Sequence, residues 1–417
     1  MSALGWIDFS SDERAKVKQV LAALSEKGVL DELGIGQIRD AFANRLFPGV
    51  STIQTRAKYF ITNARLLRDI QNGHAKKSKT PQLWLKQQEH LLAETLIKVH
   101  GKSEDGIIGA ESIKKGGVSR RPSSIYWNGL KTFGIIHSPL SLRECCSYLN
   151  ENSHIAHKAN PDHQDGVDDD DVDLIRRLVD LPDSIKNWQD EKQLTIELSV
   201  SEAEFLRDKL STTPVVEHSV LAQLMRNGGM AKFLPDSNLE NEEPLKLSFG
   251  AMKDLLLSHV SVSEICKNQI KQAHSFSLAM EGAHIRFNIL LAKNNHFENR
   301  LEELENEFNI WKDAVQKQGI FHSKCFDDWF DAIQGNKVKV KSRLFVERWC
   351  QLIHEGASIS QLDTLISDRA KDNKKSRSLL NKKLDKSEWV GMRRLDFRWS
   401  VARRLLADIE GGLNASR

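Results

Sequence analysis

The chain has 417 residues, 40% of them hydrophobic and 28% charged. These values exclude a disordered polymer and, at this length, call for more than one hydrophobic core. With 60 Lys and Arg against 57 Asp and Glu, the net charge is only +3, so total charge selects no class of partner. Its distribution does: residues 337–417 carry 19 basic and 10 acidic residues, and the remainder carries 41 and 47. A basic tail on an acidic body points to nucleic acid or an acidic protein. No run of about 18 apolar residues occurs, so no membrane span is expected. Residues 1–9 lack the basic start and apolar core of a signal peptide. Cysteines 145, 146, 266, 325 and 350 form no Cys-x-x-Cys pair, which fits free thiols in a reducing cytoplasm.

In chain order, Ser10-Ser11-Asp12-Glu13 opens a first helix that Gly28 stops, with a short strand or staple at Trp6–Phe9 before it. A helical pattern, the break Phe47-Pro48-Gly49 and a second helical pattern follow. Ser51 is read as the N-cap of that second helix, with Ile53, Ala57, Phe60, Ile61, Ala64 and Leu67 on its buried side. Gln54, Arg56, Lys58, Asn63, Arg65 and Arg68 fall on the opposite, outer face. The unit is either a helix-turn-helix that reads nucleic acid or two core helices with a solvated face.

The segments Met1–Ser10, Asp31–Phe42, Leu46–Phe60, Arg120–Leu130 and Phe397–Trp399 together resemble an uncharacterised bacterial family, over the whole chain. The resemblance implies a bacterial protein encoded among helicases and other DNA-handling genes of anti-phage defence regions. It implies no chemistry, and no catalytic residue can be carried over from it.

Further along, Pro81–His100 reads as a third helix and residues 101–117 as a Gly-rich mobile surface loop without a P-loop Gly-Lys-Ser/Thr. Arg120-Arg121 precede a helix that Ser123 or Ser124 caps, with Tyr126 and Trp127 in its first turn. Arginines beside a helix N-terminus suit phosphate, and with the helix at 141–150 this part is compatible with a winged-helix-like module. Alternatively Tyr126 and Trp127 are core residues and the arginines are solvated. Residues 151–173 form an acidic linker holding His154, His157, His163 and Asp168–Asp171. Metal ligation and a solvated loop are both open there, and no metal is expected. Gln193–Val200 alternates as a half-buried strand, and Ser201 with Glu204 forms a capping box. From Ser248 the pattern is almost wholly helical; Glu281-x-x-His284 resembles half of a carboxylate-bridged di-metal motif, but the helical tail has no second Glu-x-x-His, so His284 reads as a satisfied structural histidine. The last helix is expected over 387–410 and carries Arg393 and Arg394, after a basic segment at 371–386.

The expectation is thus a mainly α, multi-domain protein with a winged-helix-like N-terminal part and few short strands. Its blocks are 1–150, the linker 151–173, a small α+β region at 174–245 and a helical domain at 246–417. No catalytic triad order, zinc spacing, Walker motif or Rossmann glycine pattern stands out, and no cofactor is expected. The favoured function is a cytoplasmic, non-catalytic DNA-binding or adaptor subunit of a defence system, bound to other subunits and to DNA rather than RNA. Its nucleic-acid contacts would be Arg56, Lys58, Arg65, Arg120, Arg121, Lys374, Lys375, Arg377, Lys382, Lys383, Arg393 and Arg394. The alternatives are a metal-dependent nuclease or hydrolase using residues 154–173 and a scaffold that binds an acidic protein.

Overall fold

A computed structural model of the chain describes residues 31–113, 120–154, 177–182, 187–226, 248–258 and 262–415. The expected Trp6–Phe9 strand, the first helix and almost all of the 151–173 linker lie outside them. The described residues hold fourteen α-helices and no sheet, so the protein is mainly α. They divide into two compact units, each assembled from segments distant in sequence. One comprises the chain up to Arg45 with Lys267–Phe397, the other Leu46–Cys266 with Arg398–Arg417. Composition marks contiguous blocks instead, because a linker leaves a trace in composition and a returning segment does not.

The second unit is built on α2 (Lys58–Gln71), which follows α1 (Gly36–Leu46). Around α2 pack α3 (Pro81–His100), α4 (Pro122–Thr132) and α5 (Leu142–Glu151). Phe60 is fully buried and meets the Tyr126 and Phe133 rings edge-on at 4.8 and 5.4 Å. Ser51 does not cap α2, which starts seven residues later at Lys58. The intervening segment is irregular. Tyr126 Oη accepts from the Thr55 and Arg56 amides at 2.8 and 3.1 Å and donates to the Arg56 carbonyl at 2.9 Å. Asp408 then accepts the Ala57 amide at 2.7 Å, so a carboxylate from the far end of the chain meets the positive end of α2.

α6 (Val200–Thr212) completes this unit with α7 (Val220–Arg226), α8 (Phe249–Leu257) and α14 (Trp399–Asn414). Its capping box is Ser199 with Glu202, two residues before the expected pair. The alternation of Leu194, Ile196 and Leu198 does mark three buried side chains. Among the described residues their backbone pairs with no strand, however, and the Ile196 amide donates to His100 Nε2 at 3.0 Å. A wing would require a hairpin after α4. The described residues place there a single antiparallel bridge, Ile136 with Val179. The Gly-rich stretch is also not loose where it is described: Ile107 is buried, and the Ile108 amide donates to Tyr59 Oη at 2.8 Å.

The first unit contains the long helix α9 (Glu264–Asn294, of which it takes the part from Lys267), α10 (Glu298–Lys317), α11 (Cys325–Ala332), α12 (Val340–His354) and α13 (Ile359–Lys374). Three indoles fix their packing. Trp311, Trp349 and Trp329 donate to Leu278 O, Ala279 O and Ser275 Oγ at 2.7, 3.0 and 3.1 Å. Gly282 lets α10 approach, since a Cβ there would overlap the Trp311 ring. Buried Arg369 donates to Leu33 O at 2.7 Å and to Ser342 Oγ at 3.0 Å, joining α13 and α12 to the segment before α1. Residues 387–398 are not the start of the last helix. Phe397 and Arg398 take left-handed φ angles of 51° and 73°, which an α-helix cannot continue through, and α14 begins at Trp399.

Candidate nucleic-acid interface

The described structure separates the basic residues singled out in the sequence into three groups. The first is enclosed. Twelve of the fourteen residues of α2 are buried, Lys58 and Arg65 among them, so α2 has no outer face for a groove. Lys58 Nζ lies 2.7 Å from Glu202 Oε2 and donates to Glu197 O at 3.0 Å, and Arg65 Nη2 lies 3.0 Å from Glu202 Oε1. Burial pulls the Lys58 ammonium below its ordinary range, against the attraction of Glu202. Arg56 is half-buried and bridges Asp408 and Glu104, each at 2.9 Å. Burial would lower its guanidinium and raise the Asp408 carboxyl; for Arg56 the two carboxylates outweigh that, while Asp408 stays raised despite Arg56. The expected exposed basic face is therefore a set of internal ion pairs. A helix-turn-helix also joins its helices by three or four residues, whereas residues 47–57 separate α1 from α2.

Arg120 and Arg121 stand before α4 as expected, with Pro122 at its first position and Arg121 as the N-cap. The amides there are not open to a phosphate, however. The Ser123 amide donates to Oε1 of the buried Glu89 at 2.7 Å. Tyr126 is fully buried, so the core reading holds for it, and Trp127 is half-buried with Lys131 Nζ 5.5 Å from its ring centre. Arg120 is exposed and Arg121 half-buried.

The third group lies in the first unit. α13 ends at Lys374, Lys375 turns the chain at φ 54°, and two short 3₁₀ turns, Lys375–Arg377 and Leu379–Asn381, follow. This strap is anchored from below. Ser378 Oγ and the Leu379 amide donate to Glu32 Oε2 at 3.0 and 3.3 Å. Asn373 Nδ2 donates to Asp31 O and Glu32 O at 2.8 and 3.0 Å, and the Leu384 amide donates to Asn295 Oδ1 at 2.8 Å. Burial raises the Glu32 carboxyl; Ser378 and Leu379 pull it down, as do the charges of Lys374 and Lys382. Lys375, Arg377, Lys382 and Lys383 are exposed and Lys374 half-exposed. Among the described residues none of the five makes an ion pair. Arg393 and Arg394 differ: Arg393 pairs with Glu307 at 2.9 Å and lies 4.2 Å above the Trp389 ring, and Arg394 pairs with Glu281 at 3.4 Å.

Glu32, Asn373 and Asn295, which shape the strap, escape sequence reasoning because each acts on residues distant along the chain. The described His and acidic residues include no group of three or more that could hold a metal ion. Glu281 faces Arg394, and His284 is buried with Nδ1 2.9 Å from Met280 O. His157, His163 and Asp168–Asp171 lie outside the described residues. No described helix is long and apolar enough to cross a membrane.

The molecule is therefore a helical protein of two compact units, one of which displays a fixed basic strap. Over residues 1–412 the chain matches the family described as Family of unknown function (DUF6361), and it belongs to that family. No curated protein and no solved structure matches it.

Proposed function

We propose that the protein is a non-catalytic, DNA-binding subunit of a cytoplasmic defence assembly, and that the strap at residues 371–386 is its polyanion contact. One observation carries the contact: Lys375, Arg377, Lys382 and Lys383 are exposed and in no ion pair among the described residues, on a backbone tied down through Glu32 and through Asn373, Asn381 and Asn295. Exposed cations outside ion pairs can neutralise successive phosphates and release condensed counterions, with little reading of base sequence. Arg393 and Arg394 would flank the strap with charge already shared with acids. The resemblance to proteins encoded beside helicases supports DNA as the polyanion and an enzyme of that kind as the partner.

The test is a salt series of fluorescence anisotropy on duplex and single-stranded DNA. Binding should weaken with salt by about 0.9 in log–log slope per phosphate neutralised on duplex. Changing Lys375, Arg377, Lys382 and Lys383 together to Ala should weaken binding and flatten the slope by roughly 3 to 4, with the fold intact because all four are exposed. No binding of the wild type at low salt overturns the DNA reading, and an unchanged quadruple variant overturns the strap.

A further inference from the structure

The second unit contains a cleft of about 470 Å³ that has no part in the reading above. Its walls come from residues 52–55, residues 108–112, the approach to α4 and the first turns of α14. Among the described residues it is lined by two arginines, Arg120 and Arg404, and by no acidic residue. Charged lining groups of one sign in a concave site favour an occupant of the other, here an anion.

The polar groups of the lining divide by what they already do. Thr55 Oγ1 donates to Gly106 O at 2.7 Å. Gln54 donates to Gly49 O at 3.0 Å and accepts from the Ser51 amide at 3.1 Å. These two hold the wall in shape. Arg120 makes no ion pair or hydrogen bond among the described residues. Arg404 pairs at 2.8 Å with Asp105, whose side chain is 79% exposed. An exposed pair of this kind contributes little and yields readily to a competing anion. Val401 brings with it the N-terminal turn of α14, whose dipole also favours negative charge. The wall behind is rigid, since Tyr126 and Asp408 fix the backbone of Thr55, Arg56 and Ala57.

Beside the charge lies an apolar surface formed by Ile53, Ile108, Ile125 and Val401. Ile53 is 40% exposed and offers aliphatic surface to an occupant of the cleft. A lone phosphate would leave this surface wet, and a sugar phosphate would set hydroxyls against it. A planar base carried on a phosphorylated sugar satisfies both parts, and the volume falls within the range of sites for ligands of that size. We propose that this cleft binds a nucleotide, its phosphate between Arg120 and Arg404 and its base against the isoleucines.

Isothermal titration of the full chain with AMP, GMP, CMP, UMP and ATP, and with adenosine and inorganic phosphate as controls, tests this. At least one nucleotide should bind, and the two controls more weakly. Arg120→Ala and Arg404→Ala should each weaken that binding by about tenfold or more, the scale of a charge-assisted hydrogen bond. Asp105→Ala should tighten it by freeing Arg404, a gain that no folding defect imitates. Circular dichroism reports folding of each variant. Absence of binding by every nucleotide overturns the proposal, as does a folded Arg120→Ala protein that binds like wild type. Inorganic phosphate binding as tightly as the best nucleotide would remove the role of the apolar wall and with it the assignment. The quadruple strap variant should bind nucleotide like wild type, which separates failure here from failure of the DNA reading.

Discussion

Glu202 concentrates most of the buried charge of the second unit on one side chain. It is 1% exposed, holds Lys58 and Arg65 through its two oxygens, and caps the helix it belongs to together with Ser199. A buried pair gains little over an apolar packing, but removing one partner strands the other in a poorly solvating interior. Glu202→Ala strands two cations and is expected to destabilise the protein by about 3–5 kcal/mol. Arg377→Ala, at an exposed site, should stay within about 0.5 kcal/mol. Urea unfolding monitored by circular dichroism compares them, and equal midpoints would mean that Lys58 and Arg65 reach water. None of this is readable from residues 58–65 alone. A lysine and an arginine spaced opposite Phe60 and Ala64 look solvated until an acid 144 positions from Lys58 is placed beside them.

At the scale of elements, helices were legible where apolar residues recur every three or four positions, as in α3 and α9, because the same spacing builds one buried face. Their starts were less so. Ser51 resembles a cap but has no helix after it, since the hydroxyl of Tyr126, 70 residues beyond Arg56, holds those amides in an irregular path. α4 shows a second such case, with consequences for pH. Glu89 on α3 accepts the Ser123 amide of α4. Burial pushes its carboxyl above the ordinary 4.5, more than the Ser123 hydrogen bonds and the Arg121 charge pull it down. The folded protein therefore binds that proton more tightly than the unfolded chain, and ionised Glu89 detracts from stability. That loss is complete above the raised value and disappears as pH falls to 4.5. Glu89→Gln keeps an acceptor for the amide and has no charge to titrate. Relative to this variant, the wild type should gain stability as pH falls from the raised value to 4.5 and gain nothing more below it. Thermal midpoints across pH 4–8 measure the difference, and a constant difference would place Glu89 in contact with solvent.

For the whole molecule, closure of the chain decides what composition cannot. The basic character of residues 337–417 is evenly spread in sequence, yet the structure assigns its parts to different work. Residues up to Phe397 belong to the unit that carries the strap, and Arg398–Arg417 belong to the other. There α14 buries Trp399, Ala402, Leu405, Leu406 and Ile409, each 2% exposed or less, and stacks Trp399 on Phe47 at 6.0 Å. It lies so close to α6 that a Cβ on Gly412 would sit 2.7 Å from that of Ala203. It also supplies Asp408 to α2. Burying a large apolar side chain contributes about 1.5–3 kcal/mol, so the four large ones on α14 supply roughly 6–12 kcal/mol. That is comparable with the entire 5–15 kcal/mol or so by which a domain is stable. A chain ending at Phe397 should therefore lose the cooperative unfolding of the second unit and become protease-sensitive across α2 to α6, however well its N-terminal segments are formed. Leu406→Ala in the full chain, by contrast, should cost about 2–5 kcal/mol and leave the transition cooperative. Differential scanning calorimetry with limited proteolysis and mass spectrometry distinguishes the two. A shortened chain that still melts cooperatively and resists cleavage within residues 58–212 would show that α14 is an appendage, and the second unit would then have to be redrawn as a contiguous domain.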